Sequence, residues 1–142
     1  MEIAIRLARI ADLEAVRAID SYYAAGHPER EEEIKSWLLA AEAYVAVPGG
    51  VIRGYASLGK QFGRPFIDML MVAENSRGMG IGNRLVAHLE GLTEGPELWT
   101  STNLSNQPMQ GLLASRGYRM TGFIDNLDPG DPELFYFKEL ER

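Results

Sequence analysis

The stretch VAENSRGMGIGNRLVAHLE, residues 72–90, organises the chain. An apolar run at residues 66–72 leads into it, and glycines follow at alternate positions, Gly78, Gly80 and Gly82. A helical pattern begins at once. A helix start binds anions, because its first N–H groups point outward unpaired and the helix dipole favours negative charge there. Glycine also lets the backbone approach a ligand closely, since it has no Cβ. We therefore expect this turn to hold a phosphate group.

The composition describes an ordinary globular chain. It has 142 residues, of which 46% are hydrophobic and 24% are charged, and this fits a single domain spanning residues 1–142. No apolar run approaches the ~18 residues of a membrane-spanning helix. The first residues, MEIAIRLARIADLE, do not resemble a secretory signal. Cysteine is absent, which excludes a disulfide, a thiol nucleophile and a thiolate metal site. We expect a cytoplasmic protein with no membrane partner and no metal ion.

The net charge of −6 bears on the choice of partner. A nucleic-acid-binding surface needs basic residues that replace the counterions of the phosphate backbone, so we expect no nucleic-acid partner. The acidity is compatible with a cationic substrate. Solubility alone accounts for an acidic surface in many proteins.

Periodicity and turn residues predict the order of the elements. Residues 2–8 alternate as a strand should, with Ile3, Ile5 and Leu7 facing inward. The other predicted elements are a helix capped by Asp12 and broken at residues 26–28, a helix at 29–41, strands at 43–47 and 51–58 around a turn at 48–50, a loop at 59–65, a strand at 66–72, a helix reaching about residue 92, a strand at 97–102, a helix at 106–116, and strands at 118–127 and 133–140. The order β α α β β β α β α β β indicates an α/β (α+β) fold with a central mixed sheet flanked by helices.

The glycine spacing separates this turn from other phosphate-binding motifs. A P-loop requires Gly-Lys followed by Ser or Thr, and a dinucleotide-binding turn requires G-x-G-x-x-G. Residues 77–82 read R-G-M-G-I-G, which is similar to the Arg-x-x-Gly-x-Gly signature of the GCN5-related N-acetyltransferase (GNAT) superfamily. The resemblance extends over the whole chain. IRLARIADLEAV resembles the first strand and helix of that superfamily, NQPMQGLLASRGYRMTG resembles its later coenzyme-A segment, and the element order is the same.

The resemblance implies that acetyl-coenzyme A is the co-substrate. Backbone N–H groups of the turn would hold its pyrophosphate, and the open edge of the preceding strand would pair with the pantetheine amides. The coenzyme-binding residues implied are Leu70, Met71, Val72, Arg77, Gly78, Met79, Gly80, Ile81, Gly82, Asn83 and Asn106. Arg77 is otherwise read as a solvated surface residue. Asn106 is otherwise read as a helix cap, and its two roles are compatible.

The implied reaction is direct attack of an amine on acetyl-coenzyme A in a ternary complex. Asp68 is the first candidate for the base, because a carboxylate in an apolar strand needs a reason to be there; a hydrogen bond to a neighbouring loop is the alternative. The superfamily commonly places a proton-donating tyrosine where this chain has Leu113. Tyr118 is the remaining tyrosine candidate, although its position in the superfamily usually serves packing. Weaker candidates are Glu32, Glu33, His27 and Ser115.

The acceptor is expected to be an amine on a small molecule or a peptide. Asp125, Asp128 and Asp131 lie in a proline-rich loop and could border a cationic acceptor, although the same residues suit a rigid turn. Homodimers are frequent in the superfamily, so one is compatible with this chain. The missing tyrosine keeps a rival open, a non-catalytic acyl-coenzyme-A sensor or interaction module with the same fold. A nucleotide-binding protein is a third hypothesis.

Overall fold

The computed structural model describes residues 2–141 and shows a mixed sheet with helices. The strands are β1 (Ile5–Leu7), β2 (Ala43–Ala46), β3 (Gly54–Gln61), β4 (Arg64–Val72), β5 (Glu97–Asn103), β6 (Arg119–Ile124) and β7 (Glu133–Glu139). The helices are α1 (Leu13–Ile19), α2 (Ser21–Ala24), α3 (Arg30–Leu39), α4 (Ile81–Leu92) and α5 (Gln107–Ser115). The sheet order is β1-β2-β3-β4-β5-β7-β6, with β4 and β5 parallel. This confirms the predicted α/β (α+β) class and its mixed sheet.

Contacts divide the chain into two compact units. The first unit extends up to Leu58 and also contains Met69–Leu89; the second contains Gly59–Asp68 and the chain from Glu90 onward. The expectation of one domain over residues 1–142 therefore stays a prediction.

The first unit has an apolar core built by α1, α3, β2 and β3. Its buried side chains include Val16, Ile34, Leu38, Val45 and Tyr55. Ile34 and Leu38 are four residues apart on α3, and Ala43 and Val45 are two apart on β2, so each of these elements presents an apolar face. The predicted hairpin between β2 and β3 is confirmed, with a 3₁₀ turn at Pro48–Gly50.

The predicted inward face of the first strand is wrong at Leu7. Ile3 is 5% exposed, whereas Leu7 is 43% exposed and the next residue, Ala8, is 2% exposed. The strand has three residues and pairs with β2 on one side, so its alternation ends early. The backbone then turns Ala8 inward, where its N–H donates to Ala43 O at 2.9 Å.

The first predicted helix is broken in two at Asp20. This residue has extended backbone angles, and its Oδ1 accepts a hydrogen bond from the Tyr23 N–H at 2.9 Å, which caps α2. Asp12 directly precedes α1, as expected, but its side chain makes no cap. Its carboxylate instead accepts from the Arg9 N–H and from the Arg6 guanidinium, each at 2.8 Å.

The loop expected at residues 59–65 is wrong. β3 continues to Gln61 and β4 begins at Arg64, so a two-residue turn joins them. Phe62 and Gly63 have φ of 54° and 71°, the left-handed angles that fit the twist of a tight hairpin. Gly63 at the second turn position was the signal in the sequence for a tight turn, but phenylalanine is not typical of the first position.

The second unit contains β5, β7 and β6 with helix α5. Leu98, Thr100 and Thr102 alternate along β5 as buried residues, and Leu113 on α5 is fully buried. The predicted cap and stop of α5 are confirmed: the Asn106 side chain accepts from the Met109 N–H, and Gly117 follows the helix with φ of 88°. Within residues 2–141, every helix is too short or too polar to cross a bilayer.

Candidate functional site

The glycine turn connects the end of β4 to the start of α4. A 3₁₀ turn at Glu74–Ser76 precedes it, and Gly78 and Gly80 have φ of 83° and 82°. L-residues with side chains rarely adopt these angles, and a methyl group at either position would meet no atom within 4 Å. In the free protein, backbone conformation rather than crowding therefore selects glycine here.

The exposed part of this turn consists of glycine backbone on either side of the Met79 side chain. Gly78, Met79 and Gly80 are exposed, whereas the Ile81 side chain is 1% exposed and anchors the helix start in the core. The Arg84 N–H donates to Gly80 O at 3.1 Å as α4 begins, so the N–H groups before Arg84 belong to the turn rather than to the helical ladder. Gly82 is half-buried and Asn83 is exposed in the first helical turn. This geometry suits an anion, as the sequence predicted.

An open cleft lies beside the turn, within the first unit. Its volume is about 760 Å³, and its walls come from residues 18–21, 24 and 25 of the α1–α2 segment and from residues 72–75 and 77. Arg77 lines this cleft with an exposed side chain, and so does the half-buried Arg53. On the side of the glycine turn the cleft is therefore bordered by two arginines and by the exposed Glu74.

The predicted pantetheine edge lies at the end of β4. Leu70, Met71 and Val72 are half-buried. Among the described residues, the parallel pairing of β4 with β5 consists of Phe66 with Trp99 and Ile67 with Thr100. Residues 70–72 therefore lie beyond the paired part of the ladder.

Asn106 is placed as a helix cap with one donor group to spare. Its Oδ1 accepts from the Met109 N–H at 3.2 Å, and the residue is exposed. Its side-chain NH₂ donates to no acceptor within residues 2–141, so the cap leaves the predicted ligand contact open.

Asp68 lies half-buried on β4, and its carboxylate stands over Gly59 of the adjacent strand. A methyl group at position 59 would lie 2.2 Å from Asp68 Oδ2, far inside contact distance. Glycine at position 59 is therefore what makes room for this carboxylate on an otherwise apolar strand.

Tyr118 is 5% exposed, and its hydroxyl donates to Glu90 Oε2 at 2.8 Å. Glu90 also accepts from Arg116 at 2.7 Å and from Lys138 at 3.2 Å. Burial, together with the hydrogen bond to Glu90, raises the pKa of Tyr118 well above its usual value. A phenol held in this way is a poor acid, so the geometry favours a structural role. Its catalytic role stays a prediction.

The weaker base candidates have partners of their own. Glu33 pairs with Arg30, Glu32 pairs with Lys35, and the His27 ring stacks on Tyr22 at 3.9 Å. Leu113, at the position of the missing tyrosine, is fully buried.

The acidic loop is held by its own side chains. Asp131 accepts from the Ser105 N–H at 2.9 Å and from Ser105 Oγ at 2.6 Å, and Asp128 accepts from Asn103 Nδ2 at 3.0 Å. These bonds support the interpretation of a rigid turn more than that of a cation-binding rim.

A buried polar cluster under the cleft was not anticipated from the sequence. Asp20 is fully buried, accepts from the Tyr55 hydroxyl and lies 3.3 Å from the Arg30 guanidinium. Burial, with the adjacent Asp20 carboxylate, raises the pKa of Tyr55 far above its usual value. The sequence signal for Asp20 was an aspartate three residues before Tyr23, the spacing of an N-cap, inside an apparently continuous helix.

Comparisons with known proteins agree with this geometry. Residues 12–118 match the model of the acetyltransferase (GNAT) family. The chain is 32% identical over 105 residues to the peptidyl-lysine N-acetyltransferase YjaB of Escherichia coli K12, covering 73% of this chain and 67% of that protein.

Two solved structures share the fold. The crystal structure of a GNAT-family acetyltransferase from Bacillus cereus superposes with a TM-score of 0.91 at 24% identity, covering both chains in full. That of yncA, a putative acetyltransferase from Salmonella typhimurium with its cofactor acetyl-CoA, superposes with a TM-score of 0.77 at 20% identity, covering 99% of this chain and 95% of that one. The chain belongs to the GNAT acetyltransferase family and is an acyltransferase with acetyl-coenzyme A as co-substrate.

Proposed function

We propose that this protein moves the acetyl group of acetyl-coenzyme A directly onto an amine while both reactants are bound. The observation that carries the proposal is the glycine turn. Its exposed backbone at Gly78 and Gly80 adopts left-handed angles at the start of a twelve-residue helix, with Arg77 beside it. Such a turn offers several N–H donors and a positive dipole end to a pyrophosphate.

The coenzyme is proposed to run from this turn along the end of β4. The edge of residues 70–72 that β5 leaves open would bond the pantetheine amides as a strand edge bonds a peptide. The NH₂ group of Asn106 would donate to a pantetheine carbonyl. A backbone N–H at the same end of β4 would stabilise the thioester oxygen as negative charge develops.

Asp68 is proposed as the base. The acceptor must lose a proton to attack, and the Asp68 carboxylate takes it directly or through one water molecule. The amine nitrogen then forms a bond with the acetyl carbon while the carbon–sulfur bond breaks, and the second proton of the nitrogen passes to water to leave a neutral amide. The sulfur leaves as a thiolate, and with a reference thiol pKa of ~8.5 it is a fair leaving group that water can protonate. This route requires no tyrosine at position 113.

The acceptor class is proposed from the relative in Escherichia coli. YjaB is named a peptidyl-lysine N-acetyltransferase, and its 32% identity makes a lysine side chain in a peptide the first acceptor to test. A peptide N-terminus and a small-molecule amine are the alternatives. The cytoplasmic location and a homodimer also remain proposals for this chain, the latter tested by light scattering on the eluting protein.

Thiol release from acetyl-coenzyme A tests the proposal. The purified chain is mixed with a lysine peptide, an N-terminally free peptide lacking lysine, spermidine or free amino acids, and acetylated products are identified by mass. We expect amine-dependent thiol release with at least one member of this panel. Coenzyme binding without release would favour the non-catalytic sensor instead. Stabilisation by ATP or NAD but not by coenzyme A would contradict both hypotheses and favour nucleotide binding.

A further inference from the structure

The cleft of the first unit contains an arginine that neither the motif nor the family match assigns. Arg53 lies directly before β3, where its N–H donates to Ala46 O at 2.9 Å and its C=O accepts from the Ala73 N–H at 2.8 Å. These bonds fix its backbone beside the residue at which β4 gives way to the glycine turn. The next residue, Gly54, faces Ile81 and Leu85 of α4, so the alternation of an extended chain directs Arg53 to the opposite side.

Arg53 lines the cleft, and its guanidinium has no acceptor among the described residues. Other arginines of this chain are paired with carboxylates: Arg6 with Asp12, Arg17 with Glu31, Arg30 with Asp20, Arg64 with Glu97 and Arg116 with Glu90. Within residues 2–141, neither Arg53 nor Arg77 makes a side-chain hydrogen bond or ion pair, and both line the same cleft. Asp20 and Glu74 also line the cleft. The buried Asp20 already accepts from Tyr55, Arg30 and the Tyr23 N–H, whereas Glu74 is exposed to water.

Burial distinguishes Arg53 from an ordinary surface arginine. Arg9 also lacks a side-chain acceptor among the described residues, but it is exposed and hydrated. Arg53 is half-buried, and any part of a guanidinium that is shielded from water needs a hydrogen-bond acceptor. An anion that enters the cleft would supply the missing acceptors, and the planar guanidinium binds phosphate or carboxylate oxygens in pairs.

We propose that Arg53 and Arg77 form a two-arginine anion site in this cleft. The proposal rests on the proposed function, because the anion belongs to a reactant of acetyl transfer. Its source is either the phosphates of the coenzyme or an anionic group on the acceptor. In both cases Arg53 is a binding residue, and the first unit supplies the side-chain charges of the site in addition to the backbone donors of the glycine turn.

Single substitutions test the site. Arg53→Gln and Arg77→Gln each remove one charge from the cleft, and Arg9→Gln removes one exposed charge elsewhere as a matched control. Binding of coenzyme A and of inorganic pyrophosphate is measured by calorimetry at low and at moderate salt. If the anion is a coenzyme phosphate, Arg53→Gln weakens both ligands at least about 10-fold more than Arg9→Gln does, as expected for a charge-assisted hydrogen bond.

A second assay tests whether the anion is a group on the amine acceptor. A lysine peptide is assayed with a free C-terminal carboxylate and as its C-terminal amide. If the anion is on the acceptor, Arg53→Gln leaves coenzyme affinity unchanged and abolishes the preference for the free acid. The inference would be overturned if Arg53→Gln matched the Arg9→Gln control in its affinity for both ligands and in its preference for the free-acid peptide. A wild-type protein that binds pyrophosphate but not coenzyme A would contradict the proposed function while leaving the anion site standing.

Discussion

Gly59 lies directly against the Asp68 carboxylate, beside the proposed chemistry. Because a methyl group at position 59 would lie 2.2 Å from Asp68 Oδ2, Gly59→Ala must displace the carboxylate. A positioned base contributes about 10²–10⁴-fold to a rate, so we expect Asp68→Asn to lower kcat/KM by at least ~10²-fold. Gly59→Ala should lower it by roughly 10-fold, since a displaced base is misplaced relative to the acceptor.

Matched variants separate catalysis from folding in this pair. Gly91→Ala, near the end of α4, adds a methyl group that meets no atom within 4 Å and should leave kcat/KM unchanged. In an Asp68→Ala background, Gly59→Ala should cost little stability, because the group it would strike is gone. Equal stability losses from Gly59→Ala in both backgrounds would show that the carboxylate is not what the methyl group displaces.

The left-handed angle of Gly80 provides a second test at a single position. Gly80→Val should weaken coenzyme A binding strongly, because a branched side chain both disfavours φ of 82° and blocks approach to the backbone. Gly130→Val is the matched control: Gly130 has φ of 79° and equally open surroundings but lies in the loop before β7. Both variants should lose about 1–3 kcal/mol of unfolding free energy.

Calorimetry with coenzyme A and chemical unfolding of both variants measure the difference. Equal coenzyme affinities in Gly80→Val and Gly130→Val would mean that the pyrophosphate does not bind at this turn.

These residues differ in how well the sequence alone predicts their roles. Gly80 was recognisable, because alternate glycines between a strand and a helix are typical of an anion-binding turn. Asp68 stood out as a charge in an apolar run. Gly59 did not, since the need for glycine there comes from the Asp68 carboxylate, nine residues away in the sequence. Arg53 carried no signal at all, because an unpaired guanidinium is visible only once every carboxylate has been placed.

The elements of the second unit are tied together by Glu90 at the end of α4. Burial alone would raise the pKa of this carboxyl, but hydrogen bonds from Arg116, Tyr118 and Lys138 outweigh it, and the pKa is lowered. A depressed carboxyl pKa stabilises the folded state above the unfolded value of about 4.3, and that stability is lost as pH falls through the folded pKa.

Glu90→Gln should therefore remove about 2 kcal/mol at neutral pH, since it leaves two cations without their carboxylate. It should also flatten the fall in stability below about pH 5. The exposed Glu94→Gln is the control and should leave the acid limb as it is in the wild type. Chemical unfolding from pH 3 to pH 7 measures both effects, and an unchanged acid limb in Glu90→Gln would contradict the assignment.

Prediction of the elements succeeded where periodicity and caps agreed. α5 had a capping asparagine, a proline in its first turn and a glycine after its end, and its bounds are close to those expected. The prediction of one continuous first helix failed at Asp20. The apolar spacing continues past this residue, but its capping hydrogen bond from the Tyr23 N–H ends one helix and starts the next. The hairpin between β3 and β4 was missed, and a loop was expected at residues 59–65, because the phenylalanine in its two-residue turn is not a typical turn residue.

At the scale of the whole chain, a measurable property is whether its two compact units unfold together. β3 and β4 both run across the boundary between the units, at Leu58–Gly59 and at Asp68–Met69. Opening one unit would therefore interrupt strands that the other uses. We expect a single cooperative transition, in keeping with one domain over residues 1–142.

The two tryptophans make this prediction measurable, because Trp37 lies in the first unit and Trp99 in the second. Trp99→Phe and Trp37→Phe each leave one reporter, and both should give the midpoint seen by circular dichroism of the same variant. Coenzyme A at 100 times its Kd should add about 2.7 kcal/mol and shift both reporters together. Separate midpoints, with the shift confined to the Trp37 reporter, would show that the anion turn belongs to a unit that folds on its own.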